Sequence, residues 1–214
     1  MDSIEISGLS CRCIIGIRAR ERRVAQRVRV DVELAVDLER AGKSGRIAHT
    51  VDYSRASTEL IALLQFRRYS LLEVAAEECA GWLFAAYPAV QSVSLRIAKP
   101  QALAGQAESG GVRIARKRPP EAQRISHAFG SVESQLETSE ANIARVVLDA
   151  DSMLTAAALG AEQALLLPLS GRLEIGGRLL MPHEPVRLGP DESCKNHDAV
   201  AGALVVCAQR AGDG

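Results

Sequence analysis

Aromatic residues are scarce in this chain: Phe, Trp and Tyr together make up 3% of its 214 residues. Any core must therefore be aliphatic, and the 47% hydrophobic content supplies enough Ala, Val, Leu and Ile to build one. Net charge is also missing, with 26 Lys and Arg set against 26 Asp and Glu. Without a global basic field there is no general attraction for nucleic acid or an acidic membrane surface, and neither is expected as a partner. No apolar run approaches the ~18 residues that a membrane span needs. The start, Met1-Asp2-Ser3-Ile4-Glu5, lacks the apolar stretch of a secretory leader. The five cysteines are odd in number and follow no disulfide-framework spacing. They read as free thiols in a reducing compartment, so a cytoplasmic protein is expected.

The common chemical signatures are absent too. There is no G-x-x-x-x-G-K-[ST] phosphate loop, no strand followed by G-x-G-x-x-G, and no G-x-S-x-G nucleophile turn. The four histidines, His49, His127, His183 and His197, are scattered, with no H-x-H or H-E-x-x-H spacing, so no metal centre is expected. Cys11 and Cys13 alternate on one strand face with no further ligands near them, which predicts core or interface thiols.

What is present is a clear order of elements. Ser3 to Ile17 alternates as a strand around Gly8, a candidate bulge. After the turn Arg18–Arg23, Val28, Val30, Val32, Leu34, Val36 and Leu38 alternate with charged residues, as in a long antiparallel strand with one buried face. Ala41 to Ala48 reads as a polar connection. Asp52 is placed to cap a helix from Tyr53 to about Phe66, with Ala56, Leu60, Leu63 and Leu64 as its apolar stripe. A second helix follows Ser70 and runs to about Ala86, before Pro88. Val90 to Ala98 and Gly111 to Ala115 are two further strands. Strands with segregated helices predict an α+β unit: a four-stranded antiparallel sheet with two helices on one face, over residues 1–118. Residues 119–142 read as a polar linker, and 143–214 as a small all-β module with a hairpin turn at Gly176-Gly177.

Chemistry-bearing residues stand singly at the ends of these elements. Glu21 lies in the turn after the first strand, Tyr53 opens one helix, Glu73 opens the next, and Lys99 ends the third strand. Each has an ordinary reading: a solvated turn charge, a packing aromatic with a wet hydroxyl, a capping-box carboxylate answering Ser70, a strand-end cation. Glu73 also reads as a buried anion waiting for a donor-rich ligand.

Taken together, these stretches resemble the dihydroneopterin aldolase family of folate biosynthesis. The match runs through Ile15-Gly16-Ile17 with Glu21 and Gln26, Val30-Asp31-Val32 and Thr50-Val51-Asp52-Tyr53. It continues with Ser70-Leu71-Leu72-Glu73, Ala76-Glu77, Ile97-Ala98-Lys99-Pro100, and Gly111-Val112-Arg113-Ile114 with Arg116. It covers roughly half of the chain, from residue 2 to residue 118. The resemblance implies a tunnelling fold in homo-oligomers, a tetrameric ring or an octamer, with sites between subunits. It implies a pterin substrate held by Glu73 and the Leu72 backbone, Tyr53 entering from a neighbouring subunit, Lys99 as the catalytic lysine and Glu21 as its acidic partner. It implies no cofactor, metal or Schiff base, because the dihydropterin ring is itself the electron sink for a retro-aldol cleavage. Departures from the pattern are Ser44-Gly45 in place of an acidic residue, a longer loop from Ala104 to Gly110, and the basic Arg20, Arg22 and Arg23 around Glu21. The last feature keeps an epimerase of dihydroneopterin triphosphate in view, and a pterin-binding scaffold is the non-catalytic alternative. The C-terminal module is similar to the last half of a cupin-type β-barrel, as in pirin-like proteins, without the histidine and glutamate ligands of catalytic cupins.

Overall fold

The alternation in β2 (Gln26–Ala35) sets the plan of the first unit. Val28, Val30, Val32 and Leu34 are buried while Arg27, Arg29 and Glu33 stay exposed. The structure, a computed structural model, describes residues 2–103, 105–120 and 122–208. β2 pairs antiparallel with β1 (Ser3–Ile15) on one side and β4 (Ser92–Lys99) on the other; β4 pairs with β5 (Gly110–Lys117). The expected bulge is present: the β1–β2 register shifts between Ile6 and Leu9, and Gly8 has φ +72°. The Gly8 N–H, turned out of the ladder, donates to the Asp31 carboxylate at 2.7 Å. Ala104, in the loop before β5, lies outside the described residues.

Two helices pack on the sheet, α2 (Tyr53–Phe66) against β1 and α3 (Leu72–Ala86) against β4 and β5. The predicted stripe of α2 is fully buried, and Asp52 caps its start by accepting from the Ser54 and Arg55 N–H groups. A short helix, α1 (Glu39–Ser44), and a single 3-10 turn at Ile47–His49 occupy the stretch expected to be a plain connection. The start of α3 also differs from expectation. Its N-cap residue is Leu71, with no side-chain cap, so Ser70 and Glu73 form no capping box.

The sheet has five strands rather than four. Between the helices, β3 (Arg68–Tyr69) pairs parallel with the end of β1, Ile14 beside Arg68 and Ile15 beside Tyr69, giving the order β3-β1-β2-β4-β5. The joint that carries β3 is anchored from below. Arg67 is buried and donates to both carboxylate oxygens of buried Glu78, at 2.9 and 3.0 Å. Removing one partner of such a pair would strand a charge in the core at a cost of about 3–5 kcal/mol. At the other end of α3, Arg118 donates to the carbonyls of Phe84, Tyr87 and Val90 at 3.0, 2.7 and 2.7 Å. The Phe84 carbonyl needs such a donor, because Pro88, four residues on, has no N–H to offer it.

The chain divides into two compact units between Pro119 and Pro120. The stretch expected to be a linker is largely strand. β6 (Arg124–His127) and β7 (Gly130–Glu137) form a hairpin, and β7 pairs with β8 (Ala141–Asp149). The second unit therefore takes in most of 119–142. Its remaining strands are β9 (Met153–Thr155), β10 (Ala164–Ser170), β11 (Leu173–Ile175), β12 (Arg178–Leu179), β13 (Val186–Leu188), β14 (Ser193–Asn196) and β15 (Val200–Ala208). They lie in a six-stranded sheet, β13-β10-β15-β8-β7-β6, and a four-stranded sheet, β12-β11-β14-β9. The Gly176-Gly177 turn joins β11 to β12, both glycines having positive φ as a tight hairpin turn requires. Aliphatic side chains such as Val146, Leu148, Leu166, Leu173 and Val205 fill the interior of this unit.

All five cysteines are free and buried. Burial pushes the Cys194 thiol up to about 11 and the Cys207 thiol up to about 12, so both behave as small apolar residues at neutral pH. Among the described residues no three His, Cys, Asp or Glu side chains gather as metal ligands, and no helix is long and apolar enough to cross a membrane.

Candidate active site

The site grows from the end of β1. The carbonyl of Ile15, the last residue of the strand, accepts two hydrogen bonds, from Gln26 Nε2 at 2.6 Å and from Lys99 Nζ at 3.2 Å. The next residue, Gly16, turns the chain with φ +137° and donates its N–H to the Tyr69 carbonyl in β3 at 3.0 Å. Only glycine fits there: a Cβ would stand 2.3 Å from Glu21 Oε2. That close approach lets the turn fold Glu21 back over the strand end. One oxygen of Glu21 accepts the Arg18 N–H at 3.1 Å, and the other forms a short ion pair with Lys99 Nζ. Lys99 closes β4 on its buried face and is only 8% exposed. Its ammonium is thus aimed by a carbonyl and a carboxylate.

The hydrogen bond from Lys99 holds the Glu21 carboxyl below its usual range, helped by the Arg18 N–H and opposed by burial. The ionised form is therefore favoured by folding. The stabilisation this brings is complete above the ordinary glutamate value of about 4.3 and is lost as pH falls through the lowered folded-state value. Urea midpoints followed from about pH 7 to about pH 3 are expected to drop more steeply for the native protein than for Glu21→Gln. Parallel curves would show that Glu21 adds nothing to the acid response.

Beside this pair lies an open cavity of about 360 Å³, a size suited to a small planar ligand. Lys99 and Glu21 form one part of its lining, Leu71, Leu72 and Glu73 at the start of α3 another, and Gly110 and Gly111 a third. A Cβ at Gly111 would fall 2.6 Å from the Ile97 carbonyl, so the close approach of β5 to β4 at this wall depends on glycine. β3 brings Glu73 here, because its pairing with β1 sets the first turn of α3 beside Gly16. Glu73 is exposed in the single chain, not buried as one reading of the sequence expected. Its carboxylate makes no hydrogen bond or ion pair among the described residues. The side chains of Glu21, Glu73 and Lys99, together with Leu72, are therefore brought to one cavity. Tyr53 is not: it opens α2 with 61% of its surface exposed and is not part of this lining.

Residues 4–115 match the family profile of dihydroneopterin aldolase. The chain belongs to the dihydroneopterin aldolase family. It is 32% identical over 101 residues to the dihydroneopterin aldolase of Methylorubrum extorquens, covering 47% of this chain and 78% of that protein. Among solved structures it is similar to Escherichia coli dihydroneopterin aldolase in complex with neopterin. The TM-score is 0.52 at 32% identity, over 54% of this chain and 99% of that one. The second unit is similar to an RmlC-like cupin from Shewanella frigidimarina over 43% of the chain and 87% of that protein. At a TM-score of 0.35 and 8% identity the likeness is too slight to bear on what the unit does.

Sequence reasoning singled out the carboxylates and the lysine of this dihydroneopterin aldolase domain but missed what aims them. The Ile15 carbonyl is a backbone acceptor and leaves no mark in a sequence. Gln26 stands among the matching residues, yet its amide bond to that carbonyl is visible only in the fold. Gly16, a glycine ending an alternating run, was the available signal for a tight turn at this point.

Proposed function

We propose that the first unit cleaves 7,8-dihydroneopterin by a retro-aldol reaction, releasing 6-hydroxymethyl-7,8-dihydropterin and glycolaldehyde. The observation that carries this reading is the single cavity that joins an unpaired carboxylate, Glu73, to an aimed Lys99–Glu21 pair. Aldolase activity accords with membership of the family; the residue roles are the proposal.

The ring's guanidine-like edge presents parallel N–H donors, and Glu73 accepts two of them in a charge-assisted grip. The Leu72 backbone, in the uncapped first turn of α3, contributes beside it. Cleavage removes a proton from the second hydroxyl of the side chain and breaks the bond between the first and second side-chain carbons. The electron pair flows into the ring C=N, giving an enamine, and a proton returns to the first carbon. No Schiff base or metal is needed for a sink of this kind. Lys99, ion-paired with Glu21, is positioned to return the proton, directly or through a water. Tyr53 relays the hydroxyl proton from a neighbouring subunit of a homo-oligomeric ring, tetrameric or octameric. Its exposure in the single chain accords with this, as do the exposed Ile17 and Leu71 at the cavity. The free cysteines accord with work in the cytoplasm.

Incubation of the purified protein with 7,8-dihydroneopterin, followed by chromatography, tests the reading. Glycolaldehyde and the hydroxymethyl pterin are expected. A side-chain epimer without glycolaldehyde, or tight binding without turnover, would sink it. The shared site has its own test. Tyr53→Phe and Lys99→Ala proteins, each impaired alone, are expected to regain activity when unfolded and refolded together, since about a quarter of randomly mixed sites would then be intact. Failure to complement, with mixed oligomers confirmed by native mass spectrometry, would place both residues in one subunit.

A further inference from the structure

A second cavity, of about 600 Å³, opens on the other side of the catalytic pair and shares Glu21, Lys99 and Ala102 with the first. Its remaining walls are strongly basic: Arg12, Arg18, Arg20 and Arg27 line it. Glu21 is its only acidic lining residue, and Lys99 already neutralises it. Arg18, Arg20 and Arg27 make no side-chain ion pair or hydrogen bond among the described residues, and Arg12 donates only to the Ala25 carbonyl, at 2.7 Å. The arrangement carries a cost. Arg12 and Arg27 are direct cross-strand partners in the β1–β2 ladder, so two like charges face each other on one side of the sheet, an opposition that destabilises a strand pair. Two residue pairs further along, Arg29 has Asp31 at 3.7 Å. At the cavity no such acid is supplied. Four uncompensated cations around a hollow of this size call for an anion from outside the protein.

The position of the hollow says which anion. With the ring at Glu73 and the scissile bond at Lys99, the terminal carbon of the side chain lies beyond Lys99. We propose that the basic cavity binds a phosphate ester on that terminal carbon, so that the preferred substrate is a phosphorylated dihydroneopterin. This rests on the aldolase reading above and extends it to the substrate class. Cleavage then follows the same course: the carbon–carbon bond breaks, the hydroxyl proton leaves, the electron pair enters the ring and a proton returns to the first carbon. No phosphate bond is broken, and the second product is glycolaldehyde carrying the phosphate. Guanidinium groups suit this task because their planar forks grip phosphate oxygens two at a time.

The test compares kcat/KM for 7,8-dihydroneopterin, its terminal monophosphate and its terminal triphosphate. In parallel, calorimetry measures binding of neopterin and its mono- and triphosphate, whose aromatic ring resists becoming an enamine. At least one ester is expected to exceed the free alcohol by about tenfold or more in both measurements, the yield of one retained charge-assisted contact. The mono- and triphosphate arms show which ester the cavity fits. The double variant Arg20→Ala/Arg27→Ala should collapse the ester-to-alcohol ratio toward unity, and Arg20→Lys/Arg27→Lys should restore part of it. Equal values for alcohol and esters, or a ratio unchanged in the double variant, would overturn the phosphate site while leaving the aldolase reading intact. If no pterin is cleaved but the ester still binds better and loses that advantage in the variant, the aldolase reading fails and the anion site stands.

Discussion

Replacing Lys99 with alanine is expected to lower turnover of 7,8-dihydroneopterin by about 10²–10⁴-fold, the usual worth of a positioned proton donor. Pterin affinity should change by less than about tenfold, because the proposed hold on the ring is elsewhere, at Glu73. Single-turnover assays give the first quantity and equilibrium titration with neopterin gives the second. The structure makes this separation fair. The Ile15 carbonyl keeps its bond from Gln26, and Glu21 keeps the Arg18 N–H, so the turn retains two of its own ties when the ammonium is gone. Lost affinity with preserved turnover at saturation would assign Lys99 to binding. Unchanged turnover would remove it from the chemistry.

Glu73→Ala should have the opposite profile. Two charge-assisted bonds to the ligand, each worth about 1.5–3 kcal/mol, are removed at once, so binding should weaken by about 100-fold or more. Stability should hardly move, within the ±0.5 kcal/mol or so typical of surface positions, because Glu73 has no side-chain partner among the described residues to lose. The pairing of the two measurements separates the roles read from the sequence. A carboxylate serving as a cap would cost helix stability and spare the ligand. Here the box between Ser70 and Glu73 is not formed, and the helix starts at an uncapped Leu71. Urea midpoints and neopterin titrations on the same variant decide it: a large drop in stability with little change in binding would return Glu73 to its structural role.

Legibility in the sequence followed the range of the forces involved. β2 and α2 could be read residue by residue, because one face of each is apolar at the right period and the pattern is local. The Gly176-Gly177 hairpin was legible for a similar reason, its turn chemistry being carried by two adjacent residues. β3 was not legible. Two residues, Arg68 and Tyr69, cannot show a period, and their strand exists only because the end of β1 lies alongside. That pairing sets Glu73 beside the Lys99–Glu21 pair, so the residues of the site were nameable while the device that gathers them was not. The hairpin of β6 and β7 does not read as strand, because polar residues dominate it and its apolar residues, Ile125, Phe129, Val132 and Leu136, keep no strict alternation. The outer side of β7 is paired by β8, a neighbour that polarity alone does not announce. The basic cavity was half visible. Arg20 stood out as a departure from the family pattern, but the opposition of Arg12 and Arg27 depends on a strand register that a bulge at Gly8 had already shifted.

The three bonds from Arg118 to the end of α3 and the turn after it bear on where the first unit finishes. They place the last anchoring residue of the first unit immediately before Pro119-Pro120. Material added after that point leaves the helix that carries Glu73 fastened at both ends, by β3 at its start and by Arg118 at its finish. The fastening of this helix is therefore complete within the first unit, upstream of the seam between Pro119 and Pro120.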